Sequence, residues 1–227
     1  MKGECAVSKN LLIVESDNDK FFIECLKKTV TADFEISSPI CRIDEYQCLN
    51  GKDNLNFKLD EIKSDIEKGY FNKIGIMLDA DKVGISERVN DINNAIRTIT
   101  DDLEILEHNQ WYRSEKLDVD ISCHILNING FGELETLLKE IKLQDSTFAD
   151  CLYSWQECLI KNNKEISTKA FDKFWVDIYG RYDCCTKKEK KQAEKNCNLA
   201  ASIKKENIWN FSHPALTDLK NYLAMFN

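Results

Sequence analysis

Two short apolar runs in this chain end in carboxylates. Leu11-Leu12-Ile13-Val14 leads into Glu15, and Ile74-Gly75-Ile76-Met77-Leu78 leads into Asp79-Ala80-Asp81. Runs this short and this apolar read as strands buried on both faces of a parallel sheet, and such sheets gather their ligands at the carboxyl ends of the strands. Neighbouring strands lie about 4.8 Å apart, so acids just beyond two adjacent strand ends can share one cation. Asp79 and Asp81 are two residues apart, a spacing that in extended backbone points both carboxylates the same way and Ala80 the other. Clustered carboxylates raise one another's pKa unless a cation compensates them, so the pattern makes physical sense with a divalent ion bound.

The remaining donors narrow the ion. The ten cysteines contain no Cys-x-x-Cys pair: Cys41 and Cys48, like Cys151 and Cys158, stand seven apart, and Cys184 and Cys185 are adjacent. None of these is a common zinc spacing. The opening Met1-Lys2-Gly3-Glu4-Cys5 lacks the apolar region of a signal peptide and no apolar stretch approaches 18 residues, so the expectation is a soluble, cytoplasmic protein with reduced thiols and no membrane segment. With only His108, His124 and His213 to supply nitrogen, the expected ion is Mg2+ or Mn2+ on oxygen ligands. His124, within an apolar strand, reads as a core histidine, and His213 before Pro214 as a residue that opens a helix.

The elements that must position the acids alternate in type. After the Leu11 to Val14 strand, Asp17 or Asp19 can cap a helix carrying Phe21, Phe22, Ile23, Cys25, Leu26 and Val30. A strand near Ile36 to Ile43 is interrupted by Pro39, which suits an edge. A helix with Leu55, Leu59, Ile62 and Ile66 stops at Gly69, and the Lys73 to Leu78 strand follows. A loop with Gly84 then opens a helix bearing Val89, Ile92, Ile96 and Ile99. Ile121 to Ile128 is a further strand, turned by Gly130-Phe131-Gly132 into a helix from Glu133 to Ile141. This order implies an α/β fold, a mainly parallel, Rossmann-like sheet with helices on both faces, over residues 1–144. Residues 145–227 read as a helical extension packed on that core: Phe148 to Ile160, Lys169 to Tyr179, a basic helix near Lys187 to Lys205, and a closing helix opened by Ser212 and Pro214.

Several of these residues resemble a known family. Val14-Glu15-Ser16-Asp17-Asn18-Asp19 resembles the opening motif of the TOPRIM domain, a Glu after a buried strand with an Asp four residues on. Leu78-Asp79-Ala80-Asp81 resembles its Asp-x-Asp motif. Gly132-Glu133-Leu134-Glu135 is similar to a Gly-x-Leu-Glu motif in a bacterial TOPRIM-like family related to the overcoming-lysogenisation-defect nucleases. The likeness covers roughly residues 9 to 140, with a weaker echo in Phe211-Ser212-His213-Pro214 and the last helix. It implies a TOPRIM-like fold and a metal-dependent nuclease acting on DNA or RNA, with Glu15 catalytic or metal-binding, Asp79 and Asp81 holding magnesium, and Asp19 and Glu135 as supporting or second-metal ligands. It also suggests a bacterial defence effector working with a separate ATPase, since the chain has no Gly-x-x-x-x-Gly-Lys-Ser/Thr loop of its own. Ser16 stands where the family usually has Gly, and a side chain there can either crowd a phosphate or hydrogen-bond it.

Charge sets the possible partners. The formal net charge of −8 argues against a generally sticky nucleic-acid binder. Acid collects in Asp53 to Glu67 and Asp101 to Asp120, while Arg181, Lys187, Lys188, Lys190 and Lys191, with Lys195, form the one candidate phosphate footprint. Its plainer explanation is a solvated helix face interleaved with Glu189 and Glu194. Lys173, and Lys82 beside the Asp pair, are candidates to reach a phosphate, against the ordinary role of a lysine whose stem covers apolar surface. Trp155, Phe171, Phe174, Trp175 and Tyr179 are packing residues unless exposed for base stacking. Two other readings compete with a nuclease: a haloacid-dehalogenase-like phosphotransferase with Asp79 as nucleophile, and a non-catalytic TOPRIM scaffold, with a homo-oligomer open in each case.

Overall fold

The computed structural model describes residues 9–40, 51–103 and 106–227. The expected continuation of the second strand past residue 40, and Cys5, Cys41 and Cys48, lie outside the described residues.

Strands β1 (Lys9–Val14), β2 (Glu35–Ile36), β3 (Phe71–Asp79), β4 (Trp111–Ser114) and β5 (Val119–Leu126) form one sheet in the order β2-β1-β3-β5-β4. All neighbours are parallel except β4, which runs antiparallel to β5. β2 is the edge expected from Pro39: the chain keeps bonding β1 beyond it, from Ser37 N to the Leu12 carbonyl at 2.9 Å and from Ile40 N to the Val14 carbonyl at 3.0 Å. Pro39, lacking an N–H, falls between these two donors. The β4 edge was not expected. It lies inside the acidic stretch, where Trp111-Tyr112-Arg113-Ser114, with only Ser114 buried, leaves no apolar run to see.

The two sheet faces are covered by different helices. Against one lie α2 (Gly51–Glu67) and α3 (Ile85–Ile96), which bury Leu55, Leu59, Ile62, Ile66, Val89, Ile92 and Ile96 with Ile13, Ile76 and Ile125. Against the other lie α1 (Asp17–Leu26), α4 (Leu134–Glu140), α5 (Thr147–Lys161), α6 (Thr168–Ile178), α8 (Leu199–Ile203) and α9 (Thr217–Ala224), with the short α7 (Ala193–Asn196) leading into α8. Phe22, Leu137, Trp175, Tyr179, Trp209, Tyr222 and Phe226 share one apolar cluster there with Leu12, Val14 and Met77. The helical region after residue 145 thus completes the same core as the sheet. α9 sits closest: a Cβ on Gly75, in the middle of β3, would lie 2.5 Å from both Phe226 Cζ and Tyr222 Oη.

Three local expectations are corrected. Ser16, not Asp17 or Asp19, is the cap of α1. Its hydroxyl accepts from Asp19 N at 3.2 Å, while Asp19 Oδ2 accepts from Ser16 N at 2.8 Å, a capping box that satisfies both ends. The basic helix of Lys187 to Lys205 is broken into a 3-10 turn over Glu189–Gln192 and the short α7 and α8, because Asn198 starts a new helix by accepting from Ala201 N at 2.8 Å. The cysteines are not all thiols: Cys185 and Cys197, with Cα atoms 6.0 Å apart, are joined in a disulfide that encloses the lysine-rich segment. His213 does open the last helical segment, its ring accepting from Ala215 N at 3.2 Å. Among the described residues no helix is long and apolar enough to cross a membrane.

Candidate functional site

β1 and β3 are neighbours, yet the chain leaves them in opposite directions. β1 feeds α1 on one face, and β3 feeds α3 on the other. That divergence opens a crevice at the carboxyl ends of the two strands, the usual ligand position in an open α/β sheet. Glu15 and Asp79 stand on either side of it, with Asp79 N donating to Glu15 Oε2 at 3.5 Å. Asp19 is buried in the first turn of α1. Glu133, the cap residue of α4, and Glu135, in its first turn, are also buried.

These acids act on one another. Burial pushes the Asp79 carboxyl well above the ordinary carboxylate range, and Asp19, Glu15, Glu135 and Glu133 push it further. Glu15 is raised by burial and by Asp81, against the pull of Arg88 and Lys169. Glu133 is raised by burial, with Lys169 opposing. The expected acids from β1, β3, α1 and α4 therefore do converge, and Glu133 joins them.

Asp81 departs from the expected geometry. Its φ of 47° takes it out of extended backbone, so it does not point alongside Asp79. Its carboxylate is instead gripped by Arg88 of α3 and by Lys169 Nζ of α6 at 2.8 Å. Burial alone would raise the Asp81 pKa, but these two cations outweigh it and hold the group below its usual range. Lys169 also reaches Glu133 Oε2 at 3.0 Å, and Lys173 Nζ lies 3.9 Å from the same oxygen. Neither Arg88 nor Lys169 carries a motif: each comes within reach only because α3 and α6 pack on opposite faces of the same strand ends.

Beside the acids is a cleft of about 330 Å³ lined by Asn18, Glu135, Lys173, Asp177, Asn198, Leu199 and Ala200. α8 forms one wall, directly after the lysine-rich segment. Arg181, Lys187, Lys188 and Lys191 of that segment are exposed, whereas Lys190 Nζ donates to the Tyr182 carbonyl at 3.2 Å and lies over its ring. Lys82 is exposed. Of the aromatic residues, Phe171, Trp175 and Tyr179 are buried, while Trp155 and Phe174 are 38% and 39% exposed and pack edge-to-face.

A second cluster was not visible in the sequence. His108, His124 and Asp218 each offer a ligand atom, and these atoms all lie within 4.8 Å of one another, so the three can bind a metal. Few as the histidines are, two of them stand beside a carboxylate, so nitrogen ligands are available as well as oxygen. Topology assembles the group: β5 supplies His124, the chain before β4 supplies His108 through a bridge to Cys123, and α9 supplies Asp218. Burial and the neighbouring His108 lower the His124 pKa to about 3. Burial also lowers His108, with Asp218 opposing.

No curated protein and no solved structure matches the chain. A family model does, across residues 9–226. The chain, over almost its whole length, belongs to the DUF3226 family, described as a protein of unknown function.

Proposed function

We propose that the protein is a Mg2+- or Mn2+-dependent nuclease of TOPRIM type, cleaving phosphodiester bonds in DNA or RNA. The observation that carries this reading is the convergence of Glu15, Asp19, Glu133 and Glu135 on Asp79 at the switch point of the sheet. A buried carboxylate among four others is held at a cost that a hard divalent cation would relieve. The donor set consists of oxygens only, which fits Mg2+ or Mn2+. Glu15 and Asp79 would hold the ion, with Asp19 and Glu135 as further ligands, and Asp81 joining on release from Arg88 and Lys169. When bound, such an ion stabilises negative charge developing on phosphoryl oxygens.

The chain's own groups would do the rest. Glu15, beside Asp79, would either share in holding the ion or accept the proton of an attacking water. Arg88, Lys169 and Lys173, which pair with Asp81 and Glu133, would bind a phosphate in place of those carboxylates. The exposed Arg181, Lys187, Lys188 and Lys191, which precede α8 in the chain, would neutralise flanking phosphates. A bacterial defence role, and a separate ATPase as partner, rest on the family resemblance described above.

One observation favours the scaffold reading: Asp81 is already compensated by two protein cations, so part of the acidic cluster is balanced without metal. The two readings separate in a cleavage panel of single-stranded and duplex DNA and RNA with Mn2+. Glu15→Gln and Asp79→Asn should each lower the rate by roughly 100-fold or more. Cleavage that is unchanged in both variants refutes the nuclease, and absence of calorimetric Mg2+ or Mn2+ binding at millimolar ion leaves the scaffold.

A further inference from the structure

We propose that His108, His124 and Asp218 form a second metal site, for a divalent transition ion of the zinc class, which fastens α9 to the sheet. The site shares no residue with the acidic crevice. Two imidazoles and a carboxylate are a borderline-soft donor set, preferred by Zn2+ and its neighbours over Mg2+.

The surrounding hydrogen bonds prepare the donors. Asn109 Nδ2 donates to Asp218 Oδ1 at 2.9 Å, and a carboxylate can only accept, so the amide orientation is set. Asn109 Oδ1 then faces His124 Nδ1 at 2.8 Å and must accept from it. That leaves the lone pair of His124 on Nε2, and the second oxygen of Asp218 outside this bond. One amide thus orients two ligands, the role that outer partners play around metal-bound histidines. Asn109 sits at φ 63°, a left-handed conformation that asparagine tolerates better than most residues.

His108 supplies an independent observation. Among the described residues its Nε2 is buried with no hydrogen-bond partner, an unusual state for a ring nitrogen. Its ring lies 5.1 Å from that of His124, centroid to centroid. Donors around a tetrahedral zinc, at Zn–N distances of about 2.0–2.1 Å, are roughly 3.3 Å apart. Closing from within 4.8 Å asks for shifts on the order of 1 Å, within reach of small χ rotations. An adjoining cleft of about 300 Å³, bordered by His124, Asp218, Asn127 and Glu140, gives an ion a way in and leaves space for water as a fourth ligand.

Because the three ligands come from β5, the chain before β4, and α9, a bound ion would tie the last helix to the sheet and raise stability by mass action. The test uses the full chain, stripped of metal, titrated with Zn2+ and with Co2+, whose visible absorption reports ligand type. Asp218→Asn and His108→Gln change exposed or partly exposed side chains, and circular dichroism checks that both variants fold. A Cys151→Ser/Cys158→Ser variant controls for binding to exposed thiols. The expected results are micromolar or tighter Zn2+ binding, a higher thermal midpoint with Zn2+ but not with equal Mg2+, and a 10-fold or greater loss of affinity in either ligand variant. No binding of either ion at 100 µM (~100-fold above a micromolar Kd, where mass action would be plain) overturns the proposal. So does affinity that survives both ligand variants or disappears with the cysteines. Zn2+ affinity that falls in Asp79→Asn overturns the separation of this site from the crevice, and so distinguishes failure here from failure of the nuclease reading.

Discussion

Replacing Gly75 by alanine tests the docking of α9 most directly. A Cβ at this position would lie 2.5 Å from Phe226 Cζ, 2.5 Å from Tyr222 Oη and 3.2 Å from Leu12 Cδ1, where ordinary contacts are 3.4–4 Å. Relief requires both rings to retreat by about 1 Å, and neither has room: Tyr222 is 1% exposed and Phe226 0%. Trp111 backs the pair, its ring centroid 5.0 Å from that of Phe226. Overpacking of this kind costs about 1–3 kcal/mol. Against it stands a gain of roughly 0.5–1 kcal/mol from removing a strand-interior glycine. With contacts as short as 2.5 Å the overpacking term outweighs the gain, and a central net loss of about 1 kcal/mol corresponds to a thermal midpoint lower by roughly 2–4 °C in a chain of this length. Differential scanning calorimetry measures it. Gly75→Ala combined with Phe226→Leu should recover part of the loss, a coupling that independent sites would not show. A midpoint for Gly75→Ala equal to or above that of the unaltered protein would refute the close seating of α9.

Asp79→Asn should stabilise the metal-free protein at neutral pH while abolishing metal-dependent cleavage. The folded-state pKa of Asp79 is raised, so the folded state holds the proton more tightly than the unfolded chain. Its penalty is therefore absent below the unfolded carboxylate pKa and grows as pH rises through the window between the two values. The advantage of the variant should shrink on acidification from pH 7, and a pH-independent difference in thermal midpoint would contradict this. Ser16→Ala removes the α1 cap and should cost ~1 kcal/mol in denaturant unfolding. It also removes both the Oγ donor 2.7 Å from Asp19 Oδ2 and the acceptor for Asp19 N, so metal affinity should fall along with stability. Unchanged affinity would place Asp19 outside the ligand set.

The framework of this fold was legible because its central strands are short apolar runs between helix-periodic segments. β1, β3 and β5, and the helices that follow them, appear within a few residues of their expected places. β4 was hidden because an edge strand with one buried side chain in four has no apolar signature. The fragmentation of the basic helix depended on Asn198 capping and on the Cys185–Cys197 link, neither of which has a periodicity. At the crevice, motif acids can be read by position, but the turn of Asp81 toward Arg88 and Lys169 follows from a single backbone angle and from the tertiary placement of α3 and α6. His108, His124 and Asp218 are separated by 16 and 94 positions in the chain. Only the sheet order and the return of α9 bring them together.

The bridge between Asp81 and Gly132 has a further consequence. Asp81 N donates to the Gly132 carbonyl at 2.8 Å, and Gly132 N returns a bond to the Asp81 carbonyl at 2.9 Å. The loop that presents Asp79 and Asp81 is thereby stitched, main chain to main chain, to the loop that presents Glu133 and Glu135. Main-chain bonds do not depend on which side chains flank them. Gly132, at φ 94° and with Thr136 atoms 2.9 Å from where a Cβ would be, is the exception, since substitution there would break the seam itself. The acids of both loops are thus carried on one main-chain frame that Gly132 secures. Exchanging one of these acids would change the charge presented at the crevice while leaving the two loops stitched together.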